Sequence, residues 1–375
     1  MKVAINTRFM IPGKMEGFGY FIEEVAFRMV AAHPEHEFYF LFDRAIPDYT
    51  FPSNVHALVV KPPARHPLLW YAWYNLRVPL LLKKIKADVF LSPDGFCSTV
   101  TTVPQCLVVH DLAFLHYPSF INKSHLWYYK RYTPLCIDKA KQVATVSEFS
   151  RQDMVEHYGV EASKIDVVYS GTNPVFRKVT AEEKEAIKQK FSDGAEYFVY
   201  TGSIHPRKNL IALLRAFSLF KKRQKSNMKL LVAGRMTWKN EEFRKLLSTF
   251  KFRNDVVLTG YLSKEELARV VASAYALVYP SLFEGFGVPP LEALQCGVPA
   301  IVSRVSSLPE IGGNAYLYIN PESHEDLAEK MMLLYKDETL RSQLVENGQH
   351  RLELFTWNRT AELLWESVKK AAGSE

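Results

Sequence analysis

Twice along this chain a series of short apolar runs alternates with stretches of helical periodicity, and few folds accommodate that alternation. Val3–Ile5, Phe38–Phe42, Val55–Val60, Val89–Ser92, Cys106–Val109 and Gln142–Val146 read as buried strands, with helical segments such as Tyr20–Ala32 between several of them. The pattern restarts with Tyr197–Tyr200, Lys229–Ala233, Val256–Thr259, Ala276–Tyr279 and Pro299–Val302. Strands alternating with helices form βαβ units around a parallel sheet. The turn-rich Gly171-Thr172-Asn173-Pro174, followed by a charged helix over Ala181–Phe191, separates the halves. With 375 residues, too many for one ordinary core, the sequence predicts two doubly wound, Rossmann-like α/β domains with a cleft between them. The boundaries fall at 1–172 and 173–355, with residues 356–375 as a closing helix.

Composition narrows the class. Hydrophobic residues make up 48% and charged residues 23%, the balance of a soluble globular protein. Four scattered cysteines, Cys97, Cys106, Cys136 and Cys296, form no CxxC pair, which suits a reducing cytosol. MKVAIN runs directly into a strand rather than a secretory leader. No uncharged apolar run reaches membrane-spanning length. A cytoplasmic protein is expected, peripheral to the inner face of a membrane if it meets one.

The net charge of +7 is unevenly spread. Between Asp48 and Asp88 no acid occurs, yet Lys61, Arg65, Arg77, Lys83, Lys84 and Lys86 interleave with Leu68, Leu69, Trp70, Tyr71, Trp73, Tyr74 and Leu80–Leu82. A second acid-free stretch, Leu112–Ile137, carries Trp127, Tyr128, Tyr129, Lys130 and Arg131. Such stretches suit anionic lipid headgroups, or form core helices with a solvated basic face. No nucleic-acid-binding pattern accompanies them, so no nucleic acid partner is expected.

Ligands of doubly wound sheets bind beyond the carboxyl ends of the strands, and the candidate residues lie there. After Tyr197–Thr201 the chain reads TGSIHPRKNL. Asn209 is placed to cap the next helix, so Arg207 and Lys208 sit beside helix-end amides, where a diphosphate is held or where two basic residues are simply solvated. After Ala276–Tyr279 comes PSLFEGFGVPPLEALQCGVP. Gly285 and Gly287 allow close backbone approach, and Pro289 or Pro290 can occupy a first helical turn. Glu284 lies before that turn and Glu292 within it, each able to hold a sugar diol. The strand QCLVVH ends at His110, a group for cleft chemistry or a packed core histidine. Gly13–Tyr20 reads GKMEGFGY, whose glycines can bring amides to a phosphate, but Gly17 and Gly19 do not complete a dinucleotide fingerprint. No DxD pair or phosphate-loop signature occurs.

The E-x7-E segment Glu284–Glu292, the HPRKN loop and the strand-exit His110-Asp111 resemble glycosyltransferase family 4, of GT-B architecture. The resemblance spans the chain, including FTWNRTAELLWESV, similar to that family's last helix packing back onto the first domain. It implies a retaining, metal-independent transfer of a hexose from a nucleotide-diphosphate sugar to a glycan or lipid-linked acceptor. Glu292 would hold the ribose diol, and Glu284 with the Phe286 and Gly287 amides the transferred sugar. Arg207 and Lys208 would neutralise the diphosphate, and Gly19 would approach it from the first domain. His110 would contact the donor sugar and Tyr261 line the base pocket. Where many members have Arg after the phosphate-loop glycine, this chain has Ser203, which must donate itself or leave more to Arg207 and Lys208. The loop is most similar to bacterial mannosyltransferases using GDP-mannose. No metal or other cofactor is expected, the nucleotide sugar being a substrate. Two other readings remain open: a nucleotide-sugar epimerase of similar shape, and a non-catalytic nucleotide-sugar-binding protein.

Overall fold

The computed structural model describes residues 1–11, 15, 17–236 and 240–373. It divides into two compact units, Met1–Gly171 with Trp357–Glu375, and Thr172–Thr356.

The first unit carries β1 (Lys2–Asn6), β2 (Glu37–Phe42), β3 (Val55–Val59), β4 (Val89–Ser92), β5 (Gln105–Val108), β6 (Gln142–Thr145) and β7 (Ile165–Val167). They form one parallel sheet in the order β3-β2-β1-β4-β5-β6-β7. Its helices are α1 (Gly17–Ala32), α2 (Pro67–Ala72), α3 (Val78–Ile85), α4 (Ala113–His116), α5 (Lys123–Lys139) and α6 (Glu148–Tyr158). The second unit has α7 (Ala181–Ser192), β8 (Tyr197–Thr201), α8 (Leu210–Gln224), β9 (Lys229–Ala233), α9 (Glu241–Ser248), β10 (Val256–Gly260) and α10 (Lys264–Ala272). It continues through β11 (Ala276–Tyr279), α11 (Val288–Gln295), β12 (Ala300–Ser303), α12 (Leu308–Gly312), β13 (Tyr316–Ile319), α13 (His324–Lys336) and α14 (Glu338–Leu352). Its sheet, also parallel, runs β10-β9-β8-β11-β12-β13. The last helix, α15 (Trp357–Ala372), belongs to the first unit.

Every residue of β4, β5, β6, β8, β11 and β12 is buried. Helices cover both faces of such strands, so they read as continuous apolar runs rather than alternations. β7 and β13, which the hydrophobic pattern does not announce, are three- and four-residue edge strands. Helix α7 opens with a reciprocal capping box between Thr180 and Glu183. In the first unit, α15 buries Trp357, Leu364, Trp365 and Val368. Thr360 Oγ1 donates to the Tyr169 carbonyl at 2.5 Å, and Ser367 and Lys370 each meet Asp166 at 2.7 Å.

The basic, aromatic stretch divides between core and surface. α2, a five-residue π-helical turn over Trp73–Arg77 and α3 bury Trp70, Trp73, Tyr74, Val78 and Leu82. Leu68, Tyr71, Leu76 and Leu80 stay exposed, as does Trp127 of α5. Tyr132 meets Tyr71 at 5.9 Å and Trp127 at 6.2 Å between ring centres, so the exposed faces of α2 and α5 adjoin.

In both sheets the order reverses once, between β1 and β4 and between β8 and β11. Those switch points are where a doubly wound sheet opens a crevice for a ligand.

Candidate active site

The switch point of the second unit is built from three loops. The loop after β8 leaves through Gly202 at φ +129°, and Gly234 after β9 presses against it. A Cβ on Gly234 would lie 1.8 Å from the Gly202 carbonyl oxygen, so only glycine lets these strand exits meet. The chain then forms a short 3-10 turn, Pro206–Lys208, where the His205 ring accepts from the Arg207 amide at 3.2 Å.

That turn aims Lys208 at the loop after β11. Its ammonium donates to the Tyr279 hydroxyl at 2.8 Å and pairs with Glu284 Oε1. Arg207 donates to the Phe283 carbonyl at 3.0 Å and stands 3.9 Å from Glu284 Oε2. Tyr279 stacks on Tyr200 with ring centres 6.1 Å apart, so the ion pair rests on aromatic rings from β8 and β11. Glu284 and Lys208 are buried. Burial alone would raise the Glu284 carboxyl, but Lys208 and then Arg207 outweigh it and hold the group below the usual glutamate value. Glu284 is therefore ionised at neutral pH.

The backbone around Glu284 is fixed from the loop after β12. The Glu284 amide donates to Ser306 Oγ at 2.9 Å, while Ser307 Oγ reaches the Glu284 and Phe286 carbonyls at 2.9 and 3.0 Å. Gly287 is the N-cap of α11 at φ +100°, and a Cβ there would strike Leu308 Cδ2 at 2.5 Å. Val288 opens the helix and Pro289 and Pro290 follow, so two of the first-turn donors are absent. The amides left at this helix start are those of Gly287 and Val288.

The structure sharpens two sequence expectations. Asn209 stands at the N-cap of α8 as expected, but at φ 58° and with its side-chain amide donating to the Pro321 carbonyl at 2.8 Å rather than capping the helix. Glu292 is not in the first turn of α11 but one residue into the second. At Gly19 a Cβ would lie 2.5 Å from the Phe9 carbonyl oxygen, so packing against Phe9 already requires glycine there. Gly13 of the same loop lies outside the described residues.

Glu292 is half-buried. Burial pushes its carboxyl up to about 8, against a smaller opposing pull from Lys264. Ser203 is half-buried, its carbonyl accepting from the Tyr200 hydroxyl at 2.9 Å. Tyr261 is exposed, with the Arg235 guanidinium 5.7 Å from its ring centre.

In the first unit, His110 follows β5. Its Nε2 lies 3.0 Å from the Pro93 carbonyl, which only accepts, so Nε2 carries the hydrogen and Nδ1 is left as an acceptor. Phe18 and Phe21 meet the ring edge-on at 4.7 and 4.8 Å. Burial lowers its pKa, keeping the imidazole neutral at pH 7. The switch point of this sheet holds a pair that no motif announces. Arg8, after β1, donates through Nε to Asp94, after β4, at 2.5 Å, and Tyr74 and Asn6 also donate to Asp94 at 2.6 and 2.8 Å. Burial disfavours the Arg8 charge, but Asp94 more than restores it.

Comparison with known proteins defines the class. Residues 181–351 match the family model described as glycosyl transferases group 1, and residues 16–176 match glycosyltransferase family 4. The O-antigen chain mannosyltransferase B of Escherichia coli is 28% identical over 249 residues, 66% of this chain and 65% of that protein. The O-antigen chain mannosyltransferase RfbU of Salmonella typhimurium is 29% identical over 278 residues, 72% of each chain. The match thus spans about two thirds of the length of the first of these relatives. Among solved structures, WaaG, a glycosyltransferase involved in lipopolysaccharide biosynthesis, aligns with a TM-score of 0.77 over 98% of both chains at 18% identity. Anabaena HepE in complex with UDP-glucose gives 0.73 over 98% of this chain and 99% of that one, at 15% identity. The fold is therefore GT-B, two parallel-sheet α/β units. This chain belongs to glycosyltransferase family 4.

Proposed function

We propose that this chain is a retaining glycosyltransferase moving mannose from GDP-mannose to a glycan or lipid-linked acceptor, with no metal ion on the diphosphate. The observation that carries the reading is the Lys208–Glu284 pair, with Arg207 beside it, at the switch point between β8 and β11. Two cations next to one ionised acid suit a ligand with a diphosphate at one end and hydroxyls at the other. In this reading Arg207 and Lys208 take the charge of the departing diphosphate, which a metal takes elsewhere, and Ser203 adds a donor from the same loop. Glu284 accepts from the sugar hydroxyls, and the amides at Phe286 and Gly287 face the same sugar. Glu292 holds the ribose diol, Tyr261 flanks the base, and His110 offers Nδ1 to a donor-sugar hydroxyl. Catalysis then rests on positioning and on stabilising charge as the glycosidic bond breaks. Mannose is favoured because the relatives found first are named O-antigen mannosyltransferases.

The test is a calorimetric panel of GDP-, UDP- and ADP-sugars in EDTA, run from pH 6 to pH 9. GDP-mannose should bind most tightly; binding that appears only after Mg²⁺ or Mn²⁺ is added would overturn the metal-free reading. The pH dependence follows from Glu292. Its carboxyl, near 8 in the free protein, is protonated at pH 6, whereas a diol donating to it favours the ionised form. Binding should therefore release a proton and tighten as pH rises toward 8, by at most about tenfold per unit for one group. It should level off above that. Glu292→Gln should flatten the slope, and a slope that survives the substitution removes Glu292 from the diol site.

The exposed Leu68, Tyr71, Leu80 and Trp127, with Lys83, Lys84, Lys130 and Arg131 also exposed on α3 and α5, form the surface we assign to anionic membrane contact at the cytoplasmic face. Each basic residue near such a surface contributes about 1 kcal/mol. A Lys83→Glu, Lys84→Glu double variant should thus lose at least about thirtyfold in partitioning to vesicles containing anionic lipid. Equal sedimentation with neutral vesicles would exclude this assignment.

A further inference from the structure

A second cluster of titratable side chains lies in the first unit, apart from every residue used above. Asp153 of α6 is buried, and two imidazoles converge on its carboxylate. His116, the last residue of α4, places Nε2 2.9 and 3.0 Å from the two carboxylate oxygens. His157, one turn along α6, places Nδ1 3.1 Å from Oδ1 and 3.0 Å from the Asp153 carbonyl. The three ligand atoms lie within 4.8 Å of one another. The imidazole edges are solvent-accessible, with 31% and 34% of the two side chains exposed.

We propose that His116, Asp153 and His157 form a binding site for a divalent first-row transition ion, with Zn²⁺ the best fit. Ligands about 2.0–2.2 Å from a metal stand about 3.0–3.5 Å from each other. Oδ1 stands 2.9 and 3.1 Å from the two ring nitrogens, near that separation, and the three ligand atoms lie within 4.8 Å of one another; each nitrogen now carries a hydrogen toward Asp153, which a bound ion would displace. Two nitrogens and one carboxylate make a borderline-soft ligand set, suited to Zn²⁺, Co²⁺ or Ni²⁺. Mg²⁺ and Ca²⁺ take oxygen ligands and are excluded by the same chemistry. The exposed side leaves room for a water as fourth ligand, the arrangement of three protein groups and one open position.

The site also has a mechanical consequence. Asp111 Oδ1 accepts from the Ala113 amide at 3.0 Å at the start of α4, and Ser150 Oγ of α6 donates to the His110 carbonyl at 3.1 Å. An ion shared by α4 and α6 would clamp the segment 110–116 at both ends and make His110 a more rigid group. Its ligands belong to the first unit, whereas Arg207, Lys208 and Glu284 belong to the second. A metal-free diphosphate site and this metal site are separate properties of the chain.

The experiment is calorimetric titration of untagged, chelator-stripped full-length protein with Zn²⁺ and, separately, Mg²⁺. One Zn²⁺ per chain is expected and no Mg²⁺ heat, with affinity reduced at least about tenfold in His116→Ala and in His157→Gln. Each variant removes one partner of the buried Asp153 and should melt below the metal-free wild type; a single cooperative transition well above the titration temperature controls for folding. The absorption spectrum of the Co²⁺-loaded wild type is a second readout, expected to lack a thiolate charge-transfer band, since Cys97, Cys106, Cys136 and Cys296 are all buried. No stoichiometric Zn²⁺, Zn²⁺ binding undiminished in both variants, equal binding of Mg²⁺, or a thiolate band on Co²⁺ would each overturn the proposal.

Discussion

Replacing Lys208 with methionine is expected to weaken binding of the nucleotide-sugar donor about 10- to 100-fold and to destabilise the second unit by about 3 kcal/mol. The two losses have separate causes. A charge-assisted hydrogen bond to phosphate contributes about 1.5–3 kcal/mol, which sets the first range. Removing one partner of a buried ion pair leaves the other charge desolvated, at about 3–5 kcal/mol. The lower end applies here because Arg207 still stands 3.9 Å from Glu284 Oε2. The double variant Lys208→Met, Glu284→Gln separates the effects. The neutral amide no longer needs a cation, so most of the stability should return, while donor affinity stays low. Denaturant unfolding and donor calorimetry on the four proteins of the cycle give the coupling directly. Affinity that recovers along with stability would mean that Lys208 merely holds Glu284 and does not meet the phosphate.

Among the described residues, eleven of the thirteen strands lie where the apolar runs put them; the central ones are covered on both faces and so are apolar along their length, while the edge strands β3 and β10 keep enough apolar residues to register. The two that escape, β7 and β13, are edge strands; β7 is three residues with Asp166 at its centre, and nothing in its length or β13's sets the latter apart from the four-residue strands that were legible. At the site, residue types were legible but partnerships were not. Glu284, Arg207 and Lys208 stand out as acids and bases at strand exits, yet nothing in the spelling says that Lys208 reaches across 76 residues to Glu284. Arg8 and Asp94 carry no motif at all; only the strand order, with β1 beside β4, makes them a pair. Asp153 and His157, one helical turn apart, belong to no motif the sequence announces, and His116 is 37 residues from Asp153 and joins it through tertiary structure alone. The prolines mark the first turn of α11 in the sequence, but its exact start does not show there: Gly287, at φ +100°, sets it so that Glu292 falls one residue beyond that turn.

Gly234→Ala is expected to destabilise the second unit by about 3 kcal/mol or more, and to lower donor affinity at least about tenfold in the protein that remains folded. Two penalties coincide at this position. Its φ of +155° is one that side chains rarely adopt, and the new methyl would lie 1.8 Å from the Gly202 carbonyl oxygen. The obstacle is backbone, so no rotamer change relieves it. The lattice around it is stiff as well: Gly202 donates to the Ala233 carbonyl at 2.9 Å, Ile204 to the Arg235 carbonyl at 2.8 Å, and Gly234 to the Gly260 carbonyl at 2.9 Å. What must yield is the loop that begins at Gly202 and carries Ser203, Arg207 and Lys208. Gly159→Ala calibrates the conformational part alone. Gly159 ends α6 at φ +64° with nothing within 4 Å of a Cβ, and about 1 kcal/mol is expected there with donor affinity unchanged. At about 2–4 °C per kcal/mol for a unit of this size, the Gly234 variant should melt roughly 6–12 °C below wild type. A Gly234 variant no less stable than the Gly159 variant would show that the β8 and β9 exits do not meet as closely as this geometry requires. A full loss of stability with donor affinity intact would instead separate the packing of Gly202 from the placement of Arg207 and Lys208, and would make the glycine a fold residue alone.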